Sequence, residues 1–271
     1  MLYLDAYTSS SDFRVGFAEA TISNTYGTIA SVETKSKLLD KFGTNVDLDA
    51  ADGAVVVSSL GTNVARPTTN SITHIVGASG DTVDVQCEGH YLDASGNLIF
   101  HVQTQTLTED TPVALDQPLA RSSRLKVLGS TAATGPVQTT IGSGGTAVCE
   151  VPAGDNQSQK CETSISYRDY WVILNFGAAI LVRKSAEVLF RLEVASPGGL
   201  WYPLTRDWVL TDANPRAEFP QQTPIIVPAN SDVRITSDVE GSTNDVQVTA
   251  HMDGYLAIDL DLVDADDPAP A

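Results

Sequence analysis

The clearest pattern along the chain is a period of two. In TVDVQCEGHY (82–91), Val83, Val85, Cys87 and Tyr91 fall at odd positions, with Asp84, Gln86 and His90 between them. In LIFHVQTQTL (98–107), Leu98, Phe100, Val102, Thr104 and Thr106 share one side, and Ile99, His101, Gln103 and Gln105 the other. Successive strand side chains point to opposite faces, so this alternation predicts two half-buried strands. The DASGN between them (93–97) is built from residues that bond their own backbone or accept positive φ, and it predicts a hairpin turn. An EF-hand calcium loop would continue alternate oxygen donors to a closing glutamate. Here only Asp93, Ser95 and Asn97 alternate, and position 104 is a threonine.

Almost everything after Thr82 reads the same way. Short strands are expected near 112–115, 124–128, 137–141 and 146–151, separated by breaks such as IGSGGT. Pro152–Ala153–Gly154 and the polar DNQSQ after it mark a turn and a candidate seam. Residues 169–210 hold long apolar runs, as in strands covered on both faces or at a subunit contact, with SPGG (196–199) as a strong turn. PIIV, SDVRITSDV and DVQVTAHMDGYLAIDLDLV supply three more strands. Many strands with turn signals between them predict an all-β chain of β-sandwich or jelly-roll type, in two packed β domains with an irregular N-terminal arm. The expected division is an arm over 1–66, a β domain over 67–155, a second over 156–262 and a mobile acidic tail over 263–271. Within the arm, FRVGFAEATI (13–22) is a candidate strand. SVETKSKLLDKFG places Val32, Leu38, Leu39 and Phe42 roughly on one helical face with Gly43 as a stop, predicting a short helix near 31–42.

Composition narrows the chemistry. The chain has 271 residues, 42% of them apolar, enough for a core without disulfides. With 34 acidic against 16 basic residues, its formal net charge is −18. Such a surface repels phosphate backbones and anionic lipid, which argues against nucleic-acid or membrane partners. No apolar run is long enough for a membrane helix, and MLYLDAYTSS lacks the basic start of a signal peptide. Cys87, Cys149 and Cys161 are odd in number, lack CxxC spacing and sit in strand-like contexts, as small buried residues in a reducing cytoplasm would.

No catalytic motif stands out. GASGD and GSGGT do not match the nucleophile elbow, and there is no Walker A lysine, HExxH or strand-to-helix GxGxxG. NVDLDAADG (45–53) brings Asp47, Asp49 and Asp52 close in sequence but in the wrong register for an EF-hand, and reads as a solvated loop. His74, His90, His101 and His251 are scattered. His90 and His101 are candidates to face one another across the hairpin, though a zinc site there would need two further ligands. Tyr167, Tyr170, Trp171, Trp201, Tyr202 and Trp208 suit a core or an interface better than a sugar-stacking platform. No catalytic residue, metal ligand or cofactor is expected.

Several phrases occur together and in order: FGTNVDLD (42–49), GHYLDASGN (89–97), TEDTPVALDQPLARSSRLKVLGS (108–130) and VPAGDNQSQ (151–159). The set resembles virion structural proteins of tailed, podovirus-like bacteriophages. The matching positions are Gly89, Asp93, Gly96 and Asn97; Thr106, Leu107 and Thr111 through Leu115; and Pro152, Ala153, Gly154, Asn156 and Gln157. The family's second P-A-G-K turn is replaced here by CETSISYRDYWVI.

The resemblance implies a non-enzymatic capsid decoration or cement protein on the outer head surface. It would be made in the host cytoplasm, self-associate as a homotrimer and bridge subunits of the major capsid protein. Leu2, Tyr3, Leu4, Tyr7 and Phe13 are the candidate contacts of an N-terminal docking arm, with a terminal edge strand as the plainer reading. A tail or head–tail component, and further off a carbohydrate-binding module, are the alternatives.

Overall fold

Alternating apolar positions become strands only where a second layer covers the apolar side, and here that happens twice. The structure, a computed structural model, describes residues 37–258 apart from 63, 65, 78–81, 109–110, 130–131, 183–186 and 241–245. The candidate arm contacts Leu2, Tyr3, Leu4, Tyr7 and Phe13, the 13–22 segment and the tail lie outside the described residues. In chain order the strands are β1 (Lys37–Leu48), β2 (Val55–Val56), β3 (Ile72–Gly77), β4 (Thr82–Leu92), β5 (Leu98–Thr108) and β6 (Val113–Leu119). Next come β7 (Arg121–Leu128), β8 (Val137–Ile141), β9 (Ala147–Val151), β10 (Glu162–Ile165), β11 (Asp169–Val182) and β12 (Glu187–Ala195). The last are β13 (Tyr202–Pro203), β14 (Trp208–Leu210), β15 (Arg216–Val227), β16 (Ser231–Glu240) and β17 (Val246–Ile258). The chain is all-β, and every pairing is antiparallel.

One sandwich pairs the sheet β1-β17-β11-β15 with a sheet ordered β10-β16-β12-β13, to which β14 and β2 add at the sides. Its core is built from Trp171, Ile173, Phe176, Phe190, Leu192, Ile235 and Met252, with Leu48, Val55 and Val57 from the early chain. A second apolar cluster lies between β6-β3-β8-β9 and β5-β4-β7. It includes Ile72, Ile75, Val85, Leu107, Leu125 and Val151. Residues 72–151 therefore form a body of their own, entered after β2 and left before β10. Residues 37–58, expected in an irregular arm, instead complete the other sandwich.

The expected helix near 31–42 is not formed where it can be seen, because Lys37–Phe42 belong to β1. Its residues pair with β17 from Lys37↔Leu256 through Asn45↔Val248. Leu38 and Phe42, which helical spacing would bury together with Leu39, both face solvent on one side of the strand. Lys41, Gly43 and Asn45 turn inward. Gly43 is no helix stop; a Cβ there would collide with the Val57 carbonyl and the Cys161 amide, so its role is close backbone approach.

The DASGN hairpin forms as expected. Asp93 Oδ1 accepts the Ser95 and Asn97 amides, each at 2.8 Å, and Gly96 takes a positive φ of 81°. From Ile99 onward the odd-numbered side of β5 faces inward and Phe100 and Val102 are exposed, while Leu98 at the start of the strand is buried. The inward Gln103 is tolerated because it closes a two-way pair with the Gln117 backbone. The register pairs His90 with Phe100 and His101 with Gly89. The two histidines therefore fall on opposite faces of the hairpin, which removes the candidate zinc pair.

Candidate functional site

The chain's notable chemistry lies on the outer face of β16, where the two bodies meet. Alternation in SDVRITSDV sends Val233, Ile235 and Val239 into the core. It sends Asp232 and Arg234 the other way. In most sheets that side is solvated, but here β7 and the segment before β3 cover it. Asp232 has no solvent exposure. It accepts from Arg121 Nε and Nη2 at 3.0 Å each, from Arg66 Nε at 2.6 Å and from Ser164 Oγ at 2.5 Å. Arg121 also donates to the carbonyls of Pro67 and Ala120, so the guanidinium is bonded on all three of its nitrogens that matter to the joint. Burial alone would push the Asp232 carboxyl up, but Arg121, Ser164 and Arg66 outweigh it and hold the group below the usual carboxylate range.

The network continues outward. Arg66 donates to the carbonyls of Ser196 and Gly199. Trp201 lies between two guanidiniums, with Arg234 at 3.9 Å and Arg66 at 4.6 Å from its ring centroid. Arg234 pairs with Glu193 at 2.9 Å, and Arg191 pairs with Asp207.

A second part of the joint is basic. Lys41 Nζ donates to the Ser123 carbonyl at 2.6 Å. Lys160 Nζ donates to the Ser122 carbonyl at 3.1 Å and pairs with Glu162 at 3.2 Å. Burial, reinforced by nearby Arg124 and Lys160, lowers the Lys41 ammonium to about 7. His90 is buried beside the same groups. Burial chiefly, with Lys41 and Arg121, lowers it to about 3, so the ring is neutral at physiological pH.

This arrangement holds two bodies together; its central carboxylate has no open side for a substrate. On the opposite sheet His251 Nε2 sits 3.1 Å from Glu218 Oε2 and 3.3 Å from Asn175 Nδ2, over Gly177. That is a half-exposed cross-strand polar cluster. Among the described residues no group of three or more histidine, cysteine or acidic side chains is placed to hold a metal ion. In the acidic loop, Asp49 and Asp52 bond backbone amides.

The expected aromatic set divides. Trp171 and Trp208 are core residues, Trp208 stacking on Phe190 with ring centroids 5.9 Å apart. Trp201 belongs to the arginine sandwich, and Tyr202 is exposed. All three cysteines are buried free thiols. Sequence reasoning missed Arg66, Arg121 and Asp232. The only available signal was an aspartate and an arginine at alternate positions of an otherwise strand-like run, which is also what a solvated strand face looks like.

The fold thus defines an all-β protein of two cores joined by a buried charge network. No family model matches the chain, and no curated protein matches it. Among solved structures it is similar to the Gx strain of infectious bursal disease virus, at 11% identity and a TM-score of 0.27. That match covers 84% of this chain and 74% of the other. A subviral particle of VP2 from the same virus is similar at 8% identity and a TM-score of 0.20, over 83% and 72%. Similarity at this level carries no argument about function.

Proposed function

We propose that this chain is a non-enzymatic structural protein of a virus particle, a decoration or cement protein on the outer head surface that bridges major capsid subunits. The observation that carries the reading is the joint itself. A bridging protein must resist being pulled apart, and here two sandwiches are clamped by a carboxylate accepting from two arginines and a serine in a dry interface. Exposed apolar side chains on several strands, among them Leu38, Val46, Leu181 and Ile226, are the surface such a protein would present to other chains. The resemblance of residues 42–160 to phage virion proteins supplies the particle context. Leu2, Tyr3, Leu4, Tyr7 and Phe13 are proposed to dock on the capsid or a neighbouring copy, with many modest contacts acting together.

Quantitative mass spectrometry of purified particles tests the proposal. About one copy per major capsid protein is the expected result. A small number of copies per particle would reassign the chain to the tail or its connector, and absence from particles would reject a virion role.

A further inference from the structure

Among the described residues the longer edge strands are β1, β5, β7 and β15, and three of these edges are closed. β15 carries Pro220 and Pro224, which have no amide to donate, and its register with β11 shifts at Ile173/Asn175. β1 shifts register between Asn45 and Leu48, bears Lys37, Asp40, Lys41 and Asp47, and gives its Asp40 carbonyl to Arg124. The edge of β7 is covered: the Val127 amide donates to the Asn156 carbonyl, and the Leu125 carbonyl accepts from the Ser158 amide. Prolines, bulges, charges and covering segments are how proteins keep sheet edges from pairing with other chains. β5 has none of them along its length. It is the outer strand of β5-β4-β7 and pairs with β4 without a break from Leu98 to Thr108. It holds no proline, aspartate, glutamate, lysine or arginine.

The backbone of β5 is half used. In an antiparallel ladder alternate residues bond the neighbouring strand, and those between them turn amide and carbonyl away from it. The Asp93 amide donates to the Asn97 carbonyl at 3.0 Å, so the odd-numbered residues of β5 bond β4 and the even-numbered ones point outward. At Leu98 both outward groups are taken. Its amide donates to Asn230 Oδ1 at 2.8 Å, and its carbonyl accepts from the Tyr167 amide at 3.0 Å. No described residue does the same for Val102, Thr104 or Thr106, and all three are exposed. β6 approaches only through the inward Gln103 side chain, which bonds the Gln117 backbone.

We infer that β5 of one copy pairs antiparallel with β5 of a second copy about a two-fold axis at Thr104, giving a continuous sheet ordered β7-β4-β5-β5-β4-β7. A row of outward amides and carbonyls is satisfied by another extended backbone, and an antiparallel copy of the same row is its own complement. In this register Thr104 faces its counterpart and Val102 faces Thr106, pairs of β-branched side chains that suit cross-strand contact. Gln86 of β4 stands behind Thr104, so the central row is uncharged. Asp84 and Glu88 stand one strand back, behind Thr106 and Val102. Across the joined sheet they face one another over three strand spacings, ~14 Å, which exceeds the screening length of ~8 Å in physiological salt. A chain of net charge −18 can therefore meet itself along this edge. The contact does not rest on a virion role.

Sedimentation velocity on the full chain at about 1–100 μM tests it, and the wild type is expected as a reversible dimer. Thr104→Pro removes an outward amide and no bond to β4. It should raise the dissociation constant roughly 10- to 100-fold, with wild-type near-UV circular dichroism as the check of fold. Thr104→Lys sets two ammonium groups opposite one another and should weaken the dimer as well, whereas Thr104→Val keeps the backbone and the branched side chain and should dimerise as wild type. Cross-linking reads the register, because opposed residues bring their Cα atoms to about 5.5 Å, within disulfide reach. With glutathione disulfide as oxidant, Thr104→Cys should cross-link to itself. Val102→Cys should cross-link to Thr106→Cys when the two are mixed, and neither should do so alone. The native cysteines are buried and should give no cross-link. A monomeric wild type, a dimer that Thr104→Pro and Thr104→Lys both leave intact, or a dimer that Thr104→Cys does not cross-link would each overturn the inference. Particle copy number, which tests the virion role, is read separately.

Discussion

Replacing Arg121 by methionine removes one side of the clasp while keeping most of its volume. Asp232 would lose three hydrogen-bonding contacts, two from Nε and one from Nη2, and would keep Arg66 and Ser164. Leaving a buried charge without its main partner costs about 3–5 kcal/mol. The retained Arg66 contact argues for the lower end, and the freed Pro67 and Ala120 carbonyls push the cost up by about 1 kcal/mol each where water does not reach them. We therefore expect a loss of about 3–5 kcal/mol, a large share of the ~5–15 kcal/mol typical of a folded chain. Urea unfolding followed by two probes is the assay. Trp171, Trp201 and Trp208 all belong to the sandwich containing β16, so fluorescence reports that body, whereas far-UV circular dichroism reports both. In the wild type the two transitions should coincide. In Arg121→Met they should separate, as the 72–151 body loses its coupling to the other. The double variant Arg121→Met/Asp232→Leu, with no buried charge stranded on Asp232, should recover part of the loss. A cost below about 1 kcal/mol with transitions still coincident would refute the clasp as the element that joins the bodies.

Other consequences follow from the same joint. His90 titrates near 3 in the fold against 6.5 unfolded, so its contribution is complete above pH 6.5 and is lost as pH falls toward 3. At pH 4.5 that loss is about 2–3 kcal/mol, and His90→Gln should flatten this limb of a pH-dependent denaturation series; an unchanged slope would contradict it. Lys41 titrates near 7 against 10.5 unfolded, so the unfolded chain holds the extra proton between those values and stability rises with pH across them, by up to about 1.4 kcal/mol per pH unit. Lys41→Met should abolish that rise, as measured by urea midpoints at pH 7 and 9. Gly43→Ala should cost about 3 kcal/mol or prevent folding, because its Cβ meets backbone rather than a movable side chain; a melting temperature within error of wild type would show that β1 can shift.

The all-β class, the 82–108 hairpin and its DASGN turn were legible from residue types alone. Period-two alternation and turn chemistry are local properties, encoded within a few residues of where they act. The 31–42 segment was misread for the converse reason. KLLDKFG satisfies a helical face as readily as a strand, and pairing with β17, more than two hundred residues away, decided between them. Even in the hairpin the sequence left open which side of β5 faced inward, because Gln103 needs the Gln117 backbone to be buried without loss. The joint and the exposed surfaces depended still more on tertiary structure. Asp232 and Arg234 look alike as polar residues on one strand face. Only the approach of Arg121 from another sandwich makes Asp232 a buried clamp, and only the fold of the 196–203 loop sets Leu200 and Tyr202 outward on a rigid base. Local sequence determines what a segment can become; contacts distant in the chain decide which polar groups are dry and which apolar ones remain exposed.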